Sequence, residues 1–167
     1  MTTSSPVPDA IAKRTLLKAP LAQVWRAISD SERFGAWFGA RFEGPFVAGT
    51  TLKATIAPTQ VDPEVAKLQE AWAGTPFEIR VVAVEPMRRL AFRWYPLDFQ
   101  EGVDLATAPT TLVTFELEER ADGVLLTLTE SGFDAVPLAG RAKAFEQNAG
   151  GWEHQARNLE KYLVVES

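Results

Sequence analysis

Residues 138–163 read LAGRAKAFEQNAGGWEHQARNLEKYL. Within them Leu138, Ala142, Phe145, Ala149, Trp152, Ala156, Leu159 and Leu163 recur at alternating spacings of four and three. That is the period of one helix face. At 1.5 Å per residue the helix runs roughly 40 Å. A long helix with one apolar stripe needs a second layer to cover it. His154, the only histidine, falls nearly opposite Phe145 and faces away from the stripe. Gly150-Gly151 also fall off the stripe, cost about 2 kcal/mol of helix propensity relative to two alanines, and predict a bend.

The covering layer is legible upstream. Phe77 to Val84 is a strand closed by Glu85-Pro86. Arg89 to Tyr95 alternates, with Leu90, Phe92 and Trp94 on one face and Arg93 on the other. Thr111 to Glu118 places Val113, Phe115 and Leu117 together. Asp122-Gly123 is a tight-turn signal, and Val124 to Thr129 follows it. Short turns between successive strands imply antiparallel pairing. Arg41 to Val47, interrupted at Gly44-Pro45, and Thr50 to Ile56 add strand-like pieces around the turn at Ala48-Gly49.

Near the N-terminus, Ile11 to Lys18 reads as the first strand. Pro20 opens a helix whose Leu21, Val24, Trp25 and Ile28 share one face. Asp30 can cap a second short helix that ends at Phe38, with Gly39 as its stop. Between Ala57 and Thr75 the strand pattern fails. Asp62 suits an N-cap, Pro63 the first helical position, and Gly74 the stop. The expectation is an amphipathic helix from about Asp62 to Ala73, with Val65, Leu68 and Trp72 on one side, inside an insert of about residues 58–75. Residues 1–9 read as a loose tail and 10–167 as one domain, since neither a repeat nor a linker interrupts them.

Composition narrows the function classes. The chain has 167 residues, net charge −5, five Trp, ten Phe and no Cys. Without a basic stripe, nucleic acid and anionic membrane surfaces are poor partners. Without Cys, disulfides, thiol catalysis and thiolate metal sites are excluded. The polar start lacks the apolar core of a signal peptide, and no apolar run is long enough to span a bilayer. A cytoplasmic protein is the expectation. No zinc motif, Walker loop, dinucleotide fingerprint or nucleophile elbow is present, so no metal and no cofactor are expected.

The order of elements, with Ala19-Pro20-Leu21-Ala22-Gln23-Val24-Trp25-Arg26-Ala27-Ile28 and Trp37-Phe38, resembles the START-related or SRPBCC superfamily. The same is true of residues 84–94, of Thr111 to Phe115 with Leu126 to Phe133, and of Gly150-Gly151-Trp152 with Asn158-Leu159 and Tyr162-Leu163. Within that superfamily the chain is similar to the family named for homology to the activator of the heat-shock protein 90 ATPase. The resemblance implies an α+β helix-grip fold: a curved antiparallel sheet of about six to seven strands wrapped around the long C-terminal helix, with two short helices after the first strand. The helical insert departs from the short loop such a fold would carry there.

A sheet gripping one helical stripe can enclose an apolar cavity. Ala142, Ala149 and Ala156 leave room, and aromatics can line or fill it. The candidate lining residues are Trp37, Phe38, Trp72, Phe92, Trp94, Phe115, Phe145 and Trp152; each can equally be core packing. Asp98, Glu101 and Asp104 form an acidic loop that reads as solvated charge. Glu130 extends the row Val124, Leu126, Leu128 and is the one catalytic nominee. Its register turns it inward if the strand end is covered, but the expectation is a solvent-exposed strand end. The reading is non-enzymatic binding of an apolar or aromatic small molecule, lipid-like or polyketide-like. The resemblance also implies two alternatives, a co-chaperone-like module acting on a heat-shock chaperone and a polyketide cyclase or aromatase using Glu130.

Overall fold

The structure is a computed structural model; it describes residues 10–95, 110–133 and 138–166, with side chains of the last helix described over 145–164. The acidic loop with Asp98, Glu101 and Asp104 lies outside the described residues, as do the side chains of Leu138 and Ala142.

Seven strands form one antiparallel sheet. They are β1 (Ala10–Leu17), β2 (Ala40–Phe42), β3 (Thr51–Ile56), β4 (Pro76–Glu85), β5 (Arg89–Trp94), β6 (Thr111–Arg120) and β7 (Gly123–Ser131). Their spatial order is β1-β7-β6-β5-β4-β3-β2. Neighbours from β2 to β7 are consecutive in the chain, and β1 closes the other edge by pairing Ala10–Leu17 with Ser131–Val124. Strand β7 alternates without a break, burying Val124, Leu126, Leu128 and Glu130. The β6–β7 turn needs Gly123, whose φ is +153° and whose missing Cβ would meet the Leu17 carbonyl oxygen at 2.3 Å.

Helices α1 (Leu21–Ser29) and α2 (Ser31–Phe38) join β1 to β2. The Asp30 carboxylate accepts from the backbone N–H groups of Glu32 and Arg33, so one residue ends α1 and caps α2. Gly39 ends α2 in the left-handed region at φ +96°. Helix α4 (Leu138–Glu166) is a single 29-residue helix across the concave face of the sheet. Its helical hydrogen bonding runs through Gly150 and Gly151 without interruption; both glycines are exposed, and nothing lies within 4 Å of where a Cβ would stand.

Between sheet and helix the middle of the molecule is filled by aromatic rings. Phe34 sits at the hub, with ring centroids 4.5 Å from Trp37, 5.5 Å from Phe46 and 5.7 Å from Phe115. Trp152, Leu159 and Leu163 of α4 close this core.

The insert corrects the sequence reading. Helix α3 spans only Pro63–Gln69, and a 3-10 turn at Glu70–Trp72 follows it. Asp62 does cap it, accepting from Glu64 and Val65 N–H. The supposed apolar side is not buried: Leu68 is 72% exposed and Trp72 53%. The segment is held by polar ties instead. Lys161 of α4 pairs with Asp62. Gln69 accepts from Thr59 N–H at 2.7 Å and donates to the Phe38 carbonyl at 3.1 Å. Periodicity found the helix but could not tell a face turned to the sheet from one turned to solvent.

Candidate functional site

Three adjacent strands and α4 deliver side chains to one point. The β5–β6 register sets Trp94 opposite Thr111, and the β6–β7 register sets Val113 opposite Glu130. Thr111 and Val113 share the inner face of β6, since side chains alternate along a strand. Asn148 and Trp152 are four residues apart on α4 and therefore share a face.

Glu130 stands at the centre of this group and is 0% exposed, which corrects the expected solvated strand end. Trp94 Nε1–H donates to Oε2 at 2.8 Å, and Trp152 Nε1–H donates to Oε1 at 2.8 Å. The Thr111 hydroxyl also donates to Oε2. Asn148 Nδ2 lies 3.0 Å from both oxygens. Every one of these donors is neutral. Burying a carboxyl group is costly unless its oxygens are hydrogen-bonded, and four donors meet that need. Alternation along β7 turns Glu130 inward, and Asn148 and Trp152 of α4 cover it there, which the strand's own residues do not reveal.

Beside this cluster lies a half-open cavity of about 430 Å³ between the end of α2, strands β3 to β5, the insert and α4. Such a volume suits a small molecule. Of the eight aromatic candidates, Phe38, Trp72 and Trp94 line it, joined by Phe77. Trp37, Phe92 and Phe115 are sealed in the core, and Trp37 Nε1–H donates to the Ala27 carbonyl at 2.9 Å. Phe145 packs on Phe133, with centroids 5.2 Å apart. Trp152 lies behind Trp94, reaching Glu130 without lining the cavity. Glu130 does not line it either; Trp94 and Asn148 stand between. The two sequence alternatives, a filled core and an open cavity, are both realised, at different depths.

Sequence reasoning missed the polar lining: Asn148 and Gln155 of α4 and Gln69 of the insert. The signal was weak. Asn148 and Gln155 are seven residues apart, each preceding an alanine of the apolar stripe, in a row without charge. Gln155 Nε2 donates to the Phe38 carbonyl at 2.8 Å, the atom that Gln69 also uses. Gly39 follows that carbonyl, and a Cβ there would come within 2.5 Å of the Gln69 amide. His154 is exposed on the outer face of α4. Among the described residues no cluster of His, Cys, Asp or Glu could hold a metal ion, and no helix is long and apolar enough to cross a membrane.

The family model described as "Activator of Hsp90 ATPase homolog 1-like protein" matches residues 18–164. The chain belongs to this family. Members of the wider fold share its architecture at low identity. A Mesorhizobium loti protein, MLL2253, is 22% identical with a TM-score of 0.70, over 95% of this chain and 98% of its own. A Bordetella parapertussis protein encoded by gene BPP1335 is 26% identical with a TM-score of 0.63, over 97% of this chain and 78% of its own. DynU16, a protein of the dynemicin biosynthetic locus, is 26% identical with a TM-score of 0.67; 96% of this chain matches 49% of that one. The chain has no match among curated proteins. Family membership and the helix-grip architecture thus agree with the seven-stranded sheet and the long α4.

Proposed function

We propose that this protein binds an apolar or aromatic small molecule in the cavity beside Trp94, as a cytoplasmic carrier or sensor. The observation that carries the reading is the cavity itself: about 430 Å³, walled by Phe38, Trp72, Phe77 and Trp94, with a few amide side chains. Aromatic walls with sparse polar groups favour a flat apolar ligand and fix its orientation. The absence of Cys is compatible with a reducing compartment. The likeness to a protein of the dynemicin biosynthetic locus supports a small-molecule ligand. Glu130, sealed behind Trp94 and Asn148, is read as a positioning residue and not as an acid or base in contact with substrate.

The experiment is gentle purification followed by denaturing mass spectrometry of the released small molecules. Wild type should release one compound or a narrow class. Ile56→Trp, which fills the cavity, should release little. Identical extracts from both would sink the reading.

The family description supports a second reading, a module that stimulates a heat-shock chaperone ATPase. Chaperone ATPase turnover with and without this protein tests it, and unchanged turnover with no complex removes it.

A further inference from the structure

The buried Glu130 cluster sets the polarity of one wall of the cavity. Asn148 belongs to both: its Nδ2 lies 3.0 Å from each oxygen of Glu130, and the residue lines the cavity. Two carboxyl oxygens at that distance select the amide nitrogen, because an amide oxygen in its place would set acceptor against acceptor. The planar amide then carries Oδ1 on the branch turned away from Glu130. Among the described residues no group donates to that oxygen. The other amides of the wall differ. Gln69 Oε1 accepts from Thr59 N–H at 2.7 Å, and Gln155 Oε1 faces Asn158 Nδ2 at 3.4 Å. Glu78 alternates with the buried Ile79 on β4, so it belongs to the outer sheet face and meets the cavity only at its edge.

We infer that Asn148, locked in one amide orientation by Glu130, reads a hydrogen-bond donor on the ligand: the cavity takes a flat aromatic molecule bearing a neutral O–H or N–H near Trp94. The inference rests on the cavity being the binding site. Asn148 is the contacting residue. Glu130 acts through it and through Trp94, as a positioning residue. A buried acceptor left without its donor is penalised, so an analogue with a capped hydroxyl is rejected more than its shape alone would require.

The test uses 2-naphthol and its methyl ether 2-methoxynaphthalene, titrated by calorimetry into the full-length protein. Wild type should bind 2-naphthol about five- to tenfold more tightly than the ether, the worth of one hydrogen bond. Asn148→Leu should bring that ratio near one while the ether still binds. Glu130→Gln should also lower the ratio, because a side-chain amide at residue 130 lets Asn148 turn over and present its N–H groups instead. The ratio is insensitive to a general loss of stability, and the wild-type comparison needs no variant to fold. A wild-type ratio of one with both compounds bound overturns the inference and leaves the cavity reading intact. A ratio that persists in Asn148→Leu overturns the assignment to Asn148. Binding of neither compound overturns both readings.

Discussion

Trp94 and Trp152 lie stacked, ring centroids 5.3 Å apart and planes at 24°, and their indole N–H groups end on different oxygens of Glu130. One ring borders the cavity and the other is buried in α4's face. The carboxyl group therefore fixes strand β5 against helix α4 and sets the orientation of a cavity wall at the same time.

Glu130→Gln should destabilise the fold. The glutamine has one acceptor oxygen where the glutamate has two, so one indole N–H faces an NH₂ group. A buried donor without a partner costs about 1–3 kcal/mol. Urea unfolding of wild type, Glu130→Gln, Trp152→Phe and the double variant measures this. The double variant should lose less than the sum of the singles, since Phe removes the stranded donor. Additive losses would show that the indole–carboxyl bond carries no coupling.

Asp62 should make the attachment of the insert sensitive to acid. The Lys161 hydrogen bond, followed by the Val65 backbone N–H, holds its carboxyl below the usual carboxylate range. A depressed native value means that the stabilisation is present above the unfolded value and disappears as pH falls through the native one. Asp62→Asn keeps an N-capping side chain but removes the charge. Thermal unfolding of both proteins between about pH 7 and pH 3 should show wild type ahead at neutral pH and the gap closing in acid. A gap that is constant with pH would contradict the ion pair.

Gly150→Ala and Gly151→Ala should each stabilise the protein by about 0.5–1 kcal/mol. Both residues lie within α4, are exposed, and have open space where a Cβ would stand. The urea midpoint reports the change. A loss of stability would mean that the helix needs these glycines for a movement the present structure does not display.

Trp72→Ala should weaken binding of an aromatic probe several-fold with little change in thermal stability, because Trp72 lines the cavity while 53% exposed. Leu68→Ala is the control, on the same insert, 72% exposed and away from the cavity. Equal effects of the two would assign Trp72 a role in the insert and not in the site.

What the residues revealed in advance depends on what periodicity measures. The row Val124, Leu126, Leu128, Glu130 and the stripe Trp152, Leu159, Leu163 reported which face is buried, and those faces meet as expected. Periodicity carries no depth. It could not say that Trp37 and Phe115 sit behind Phe34 while Phe38 and Trp94 border a void. It also could not foresee that the last polar member of a strand would be met by donors from β5, β6 and α4, because those contacts join residues far apart in the chain. Leu68 shows the converse: an apolar member of a helical pattern with no layer to receive it.

The most direct test is a calorimetric titration of 2-naphthol into wild type and Ile56→Trp. Wild type should show saturable binding at one site, weakened at least about tenfold when the cavity is filled. Binding of equal strength in both proteins, or none in wild type, would contradict it.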